Sequence, residues 1–181
     1  MPGKTGKKGD TAMKPARKLT VTVKPIPEGY HSITPFLTVR GADRAIEFYR
    51  KAFGAEEISR MNGPDGKTVM HAELKIGDSR FFLGDEIPGT DCQRSPETLG
   101  GSPTGIYLYV RDVDEVFRKA VDAGATVKRP LEDMFWGDRT GSVHDPFGHG
   151  WDLATRREDV TPEEMQRRGK EFFKKMEGGK S

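Results

Sequence analysis

His71 and Glu73 stand two residues apart in Val69 to Ile76, a segment of alternating character. In an extended strand, residues i and i+2 point to the same side, so an imidazole and a carboxylate share one face. The pair suits a general base held by an orienting partner, or two donors to a divalent cation; it suits a surface hydrogen bond as well. His144 and His149 bracket Asp145-Pro146-Phe147-Gly148 and are expected to cap that turn. Cys92 is the single cysteine, so it forms no internal disulfide; nothing near it has metal-ligand spacing, and it reads as a free loop thiol. These patterns assign no catalytic residue.

The elements that must position these groups are legible nearby. A two-residue turn at Gly77-Asp78 fixes the register of a hairpin, because directly opposed residues point the same way. Lys75 then opposes Arg80, Glu73 opposes Phe82, and His71 opposes Gly84. The other face carries Met70, Ala72, Leu74 and Ile76 with Phe81 and Leu83, which makes it the core. The face bearing His71, Glu73, Lys75, Arg80 and Phe82 is either solvent-exposed or lines a polar cleft.

An internal repeat extends this reading. Val39-Arg40, Asp43 and Gly54-Ala55 recur as Val110-Arg111, Asp114 and Gly124-Ala125, at an offset of 71 that falls to 70. Each copy opens with an apolar run, Ile33 to Val39 and Ile106 to Val110. A helix follows whose apolar stripe is Ala42, Ala45, Ile46, Tyr49 and Phe53 in the first copy and Val113, Val116, Phe117, Ala120 and Ala123 in the second. Asp112 is placed to cap the second helix. Strands are expected at Glu56 to Met61, Val69 to Ile76 and Arg80 to Gly84, then at Thr126 to Arg129, Arg139 to His144 and Gly150 to Thr155. The chain therefore divides into a basic arm (1–29), a paired β-α-β-β-β domain (30–155, with modules 33–84 and 105–155 and linker 85–103), and a charged C-terminal helix and tail (156–181) capped by Thr161. In the second module Ile106, Leu108 and Val110 point inward. Gly105, Tyr107 and Tyr109 share the ligand side, where tyrosines favour a cleft over open solvent. Trp136, in the loop Leu131 to Gly137, either closes over a ligand or anchors the loop, and Trp151 is read as core.

A length of 181 residues allows one large domain or two modules with a common core, and excludes long repeat arrays. Net charge is +5 over residues 1–29, −5 over 30–154 and +2 over 155–181. An acidic body does not carry a nucleic-acid face, so weak phosphate binding is left to the arm, whose residues 1–18 are expected to be disordered. A solvated tail, or an upstream start site before Met13, is the plainer reading of that arm. No apolar run approaches the roughly 20 residues needed to cross a bilayer, and none follows the N-terminal lysines, so a cytoplasmic protein is expected.

The segments FLTVRGADRAIEFYRKAFGAEE, MHAELKIGDSRFFLGDE and VHDPFGHGWDLAT resemble the vicinal oxygen chelate superfamily. That superfamily includes glyoxalase I, extradiol dioxygenases and bleomycin-resistance proteins, and the likeness is to its PhnB-like, glyoxalase-like branch. The resemblance covers residues 30–155. It implies an α+β fold in which two βαβββ modules form a curled mixed sheet, a half-barrel cleft with helices on the convex side, and a homodimer that completes the site. Metal-dependent members carry a ligand on the first and last strand of each module, and the motif places those positions at Thr34, Phe82, Gly105 and Asp152. Only Asp152 can ligate, and one carboxylate does not hold a Zn²⁺-type cation. The expectation is a small-molecule binding protein with no metal or cofactor and no membrane contact. Its ligand-side residues are Thr34, Phe36, His71, Glu73, Arg80, Phe82, Tyr107, Tyr109, Trp136 and Asp152. A planar or cationic compound between the rings, with charge from Glu73 and Asp152, fits that set. The alternative is a divalent-metal-dependent lyase, isomerase or dioxygenase using His71 and Glu73.

Overall fold

The computed structural model describes residues 23–90 and 93–178. Most of the basic arm and Cys92 lie outside the described residues. Module one contains β1 (Phe36–Val39), α1 (Ala42–Phe53), β2 (Glu56–Asn62), β3 (Val69–Ile76) and β4 (Ser79–Asp85). A connector with a short helix α2 (Pro96–Leu99) leads to module two: β5 (Gly105–Tyr109), α3 (Val113–Asp122), β6 (Thr126–Asp133), β7 (Asp138–His144) and β8 (Gly150–Arg156). Helix α4 (Pro162–Gly178) follows. The strands form two four-stranded mixed sheets of matching order, β1-β4-β3-β2 and β5-β8-β7-β6. This is the duplicated βαβββ architecture the repeat predicts. In each sheet the first strand runs parallel to the last and the remaining pairs are antiparallel.

The predicted hairpin register is observed, with Glu73 opposite Phe82 and Lys75 opposite Arg80. Several strands run one residue beyond the expected bounds, and three features differ by more. β1 begins at Phe36, after Pro35, and Ile33 is 86% exposed. β6 continues through Pro130 to Asp133, its pairing with β7 shifting register between Arg129 and Glu132, where a proline costs no ladder bond. The connector contains the four-residue α2, capped by Ser95.

Helices α1 and α3 pack on each other and on the core faces of the sheets. Helix α1 buries the predicted stripe and also Phe48 and Ala52, because it meets module two as well as its own sheet. The Tyr49 ring lies 5.8 Å from Phe81 and 5.4 Å from Trp151, so one core spans both modules. Asp85, at the end of β4, holds the start of α1: its Oδ1 accepts from the Gly41 and Ala42 amides at 2.9 and 2.8 Å, and its Oδ2 from Val69 at 2.8 Å. The repeat-equivalent Thr155 accepts from the Val113 amide at 2.9 Å. Asp112 and Thr161 cap α3 and α4 as predicted.

The turn before β8 is capped differently from expectation. Asp145, not the flanking histidines, accepts from the Phe147 and His149 amides, both at 2.9 Å. Its other oxygen accepts from the Tyr49 hydroxyl at 2.7 Å and Trp151 Nε1 at 3.0 Å. Burial and the facing Asp145 push the Tyr49 hydroxyl far above the ordinary tyrosine value. His149 places Nε2 3.0 Å from the Thr38 carbonyl of β1, and His144 is exposed. Among the described residues, no helix is long and apolar enough to cross a membrane.

Candidate functional site

The sheet face opposite α1 collects module one's predicted residues into a ring cluster. Parallel pairing sets Phe36 beside Phe82, with ring centroids 6.3 Å apart. His71, from β3, lies 4.7 Å from Phe82 and 5.9 Å from Phe36. Gly84 leaves the space the Phe36 ring occupies, since a Cβ there would stand 3.2 Å from Phe36 Cζ and 3.0 Å from the Met70 carbonyl. Tyr30, from the irregular segment before β1, adds a fourth ring 5.7 Å from Phe82, with the Arg80 guanidinium 4.9 Å above it.

Glu73 supplies charge within this face but is not free. It pairs with Arg80 and accepts from Ser59 Oγ at 3.4 Å. Burial raises its carboxyl, hydrogen bonding from Tyr30 and Arg80 outweighs that, and the group settles below the ordinary glutamate value. His71 and Glu73 share the face as predicted, yet His71 is held by rings and Glu73 by a cation.

Module two arranges the corresponding face with hydrogen bonds. Tyr107 and Tyr109 lie 5.1 Å apart, and their hydroxyls reach Asp138 Oδ2 at 3.4 and 2.9 Å. Asp138 is buried, and Arg156 Nη1 lies 3.4 Å from its Oδ1. The hydrogen bond to Asp138, then burial, raises the Tyr109 hydroxyl above its usual value. Asp152 pairs in register with Tyr107, accepts from Ser142, and has Arg129 Nη2 at 3.6 Å.

The two faces meet where Phe36 and its repeat-equivalent Tyr107 both line a cavity of about 470 Å³ between β1 and β5, walled by Pro96 and Leu99 of α2 and by His149. Of the predicted ligand-side residues only Phe36 and Tyr107 line it, and two others stand apart from both faces. Thr34 precedes β1, with its hydroxyl 3.5 Å from the His31 carbonyl. Trp136 sits in the β6–β7 turn with its ring centroid 4.9 Å from that of Phe135 in an edge-to-face arrangement, and Phe135 in turn contacts Phe172 and Phe173 of α4. Sequence reasoning missed Tyr30, Arg129 and Asp138. Asp138 stands just before the strand expected at Arg139 to His144, and it meets the tyrosine pair across β8, which no local spacing shows; Tyr30 lies in irregular chain and gave no signal.

The resemblance marks Thr34, Phe82, Gly105 and Asp152 as the positions for metal ligands. Thr34, Phe82 and Gly105 bring no strong ligand, and Asp152 is engaged by Ser142 and Arg129. Among the described residues, no three His, Cys, Asp or Glu side chains converge as a metal site would require.

The profile of the Glyoxalase/Bleomycin resistance protein/Dioxygenase superfamily matches residues 29–153. A protein of Mycobacterium tuberculosis is 47% identical over 137 residues, covering 75% of this chain and 80% of its own. The crystal structure of an Arabidopsis thaliana gene product is 31% identical, with a TM-score of 0.55 over 69% of this chain and 98% of its own. A PhnB protein from Bacillus cereus, at 23% identity, has the same fold, with a TM-score of 0.55 over 69% of this chain and 99% of its own.

Proposed function

The chain belongs to the glyoxalase/bleomycin resistance protein/dioxygenase superfamily, and from that premise we propose that it binds a small organic molecule with a planar, apolar body. The site is the ring cluster of module one together with the adjoining cavity between β1 and β5. In this proposal the protein works in the cytoplasm as a homodimer, without a metal at the family's usual positions.

One observation carries the reading. At Phe82, a position where metal-dependent relatives hold a ligand, this chain instead has the centre of a cluster of four rings. Ring faces of this kind stack on flat molecules, and a cavity of about 470 Å³ lies in the range of small-molecule sites. Since Glu73 is satisfied by Arg80 and Asp152 by Arg129 and Ser142, the ligand's binding energy comes mainly from apolar contact.

The test is a fluorescence titration with two planar probes of opposite charge, proflavine and anilinonaphthalene sulfonate. Both should bind, and Phe82→Ala should weaken each by about tenfold, the equivalent of roughly 1.4 kcal/mol, while circular dichroism stays unchanged. Metal analysis of the same protein decides the competing enzyme reading. Stoichiometric metal that disappears on His71→Ala or Glu73→Ala would replace the binding role with metal-dependent catalysis.

A further inference from the structure

The repeat creates two comparable seams between the modules, and only one is filled. At the first, the β7–β8 turn of module two reaches over β1. Phe147 packs 6.3 Å from Phe48 and 6.4 Å from Tyr49, and the His149 ring nitrogen meets the Thr38 carbonyl at 3.0 Å. Leu37 and Val39 are buried beneath it. At the second seam the equivalent residues are Leu108 and Tyr109 of β5 and Val110 just after it, and they face the β3–β4 turn of module one. That turn has two residues, Gly77 and Asp78, where the β7–β8 turn has five. It has no counterpart of Phe147, and Ser79 stands where His149 stands in the repeat.

The shortfall leaves a cavity of about 920 Å³ lined by Phe53, Ile76, Phe81, Leu108, Val110 and Trp151. Its apolar walls come from the core side of the sheets, while Arg80, Tyr107 and Tyr109 reach it from the face that carries the ring cluster. Because the Val110 amide donates to Ala154, Val110 turns its polar backbone toward β8. Tyr109, one residue earlier, therefore points its carbonyl off the open edge of β5, as Thr38 does at the first seam. Arg80, Arg111 and Asp78 stand around the cavity with both signs of charge, so nothing there selects an ion.

We propose that this second seam is a binding site for a neutral aromatic compound bearing a ring N–H. Such a molecule supplies what Phe147 and His149 supply at the first seam, with its ring against Phe53, Phe81 and Trp151 and its N–H donated to the Tyr109 carbonyl. The filled seam is thus the template for the occupant of the open one.

Indole and its donor-less isostere benzothiophene test this by amide NMR titration of the full chain. Indole should saturate with shifts centred on residues 76–81 and 106–111 together with Phe53 and Trp151, and benzothiophene should bind about fivefold more weakly for want of one hydrogen bond. Ser79→Trp, at an exposed position, should cut indole affinity at least about tenfold by occupying the space. Leu108→Trp should do the same from the opposite wall, while proflavine binding at the Phe82 cluster stays as in the parent. Equal affinity for the two probes, shifts centred on Phe36 and Phe82, or no saturation would overturn the proposal. So would shifts at 106–111 that follow protein concentration alone, since a second copy of the chain would then fill the seam.

Discussion

Modules one and two follow the same chain path and spend the same positions on different physics. The last strand of module one presents Phe82 to a ring cluster; that of module two presents Asp152 to Arg129 and Ser142. The start of α1 is held by a carboxylate with three amide donors, Asp85, and that of α3 by a single hydroxyl, Thr155. One turn crosses a seam and plugs it, and its counterpart stops short. A duplicated backbone therefore fixes where side chains stand without fixing whether they are held by ring packing, charge or hydrogen bonds. Function has to be read from the side chains module by module.

The sharpest way to break this comparison is at the residue with no counterpart in module one. Asp145→Ala strips the acceptor from two buried side-chain donors and two amides, and should destabilise the protein by about 3–5 kcal/mol in urea unfolding. The two helix tethers come next. Asp85→Ala should cost about 2–3 kcal/mol and Thr155→Val about 1 kcal/mol, reflecting three donors lost against one. If the order is reversed, the two caps are not equivalent devices.

The connector that covers the first seam offers a smaller, pH-dependent effect. Glu86 accepts from the Ser95 and Thr98 hydroxyls and the Ser95 amide, and these bonds hold its carboxyl at about 2, against an ordinary 4.5. A depressed folded-state value means that the stabilisation is full above pH 4.5 and is lost as pH falls toward 2. The melting temperature of Glu86→Gln should accordingly change less than that of the parent between pH 5 and pH 2.5; parallel curves would detach Glu86 from the seam cover. The smallest effect is expected at Tyr109→Phe. Asp138 keeps Arg156 and Tyr107, so the loss should stay near 0.5–1 kcal/mol.

What could be read from the chain was whatever depended on short-range geometry. The Gly77-Asp78 turn fixed which residues of β3 and β4 share a face, and the repeat offset paired Phe36 with Tyr107 and Phe82 with Asp152. Regions where tertiary contact overrides local pattern were not legible. Ile33 extends an apolar run yet lies outside β1, because Pro35 intervenes and no described residue covers it. Phe48 and Ala52 looked like the flank of α1 until module two was placed against them. Asp145 reads as an ordinary turn residue, and two of its four partners are in that turn. The one that makes it central, Tyr49, is 96 residues away. Trp136 could be read as a lid or as a loop anchor, and its ring packs on Phe135, which contacts α4, a contact no local spacing announces.

The distance between Tyr49 and Asp145 also has a meaning in time. A ribosome adding about 5–20 residues per second makes Tyr49 roughly 5 to 20 seconds before Asp145. Through that interval Phe48, Tyr49 and Phe53 have no module two to pack against, so the first half of the chain waits with its helix face uncovered. Folding is then a single late event rather than two successive ones. A ribosome-stalled chain ending in the connector should be cut readily by protease within α1, and one long enough to expose Trp151 should resist.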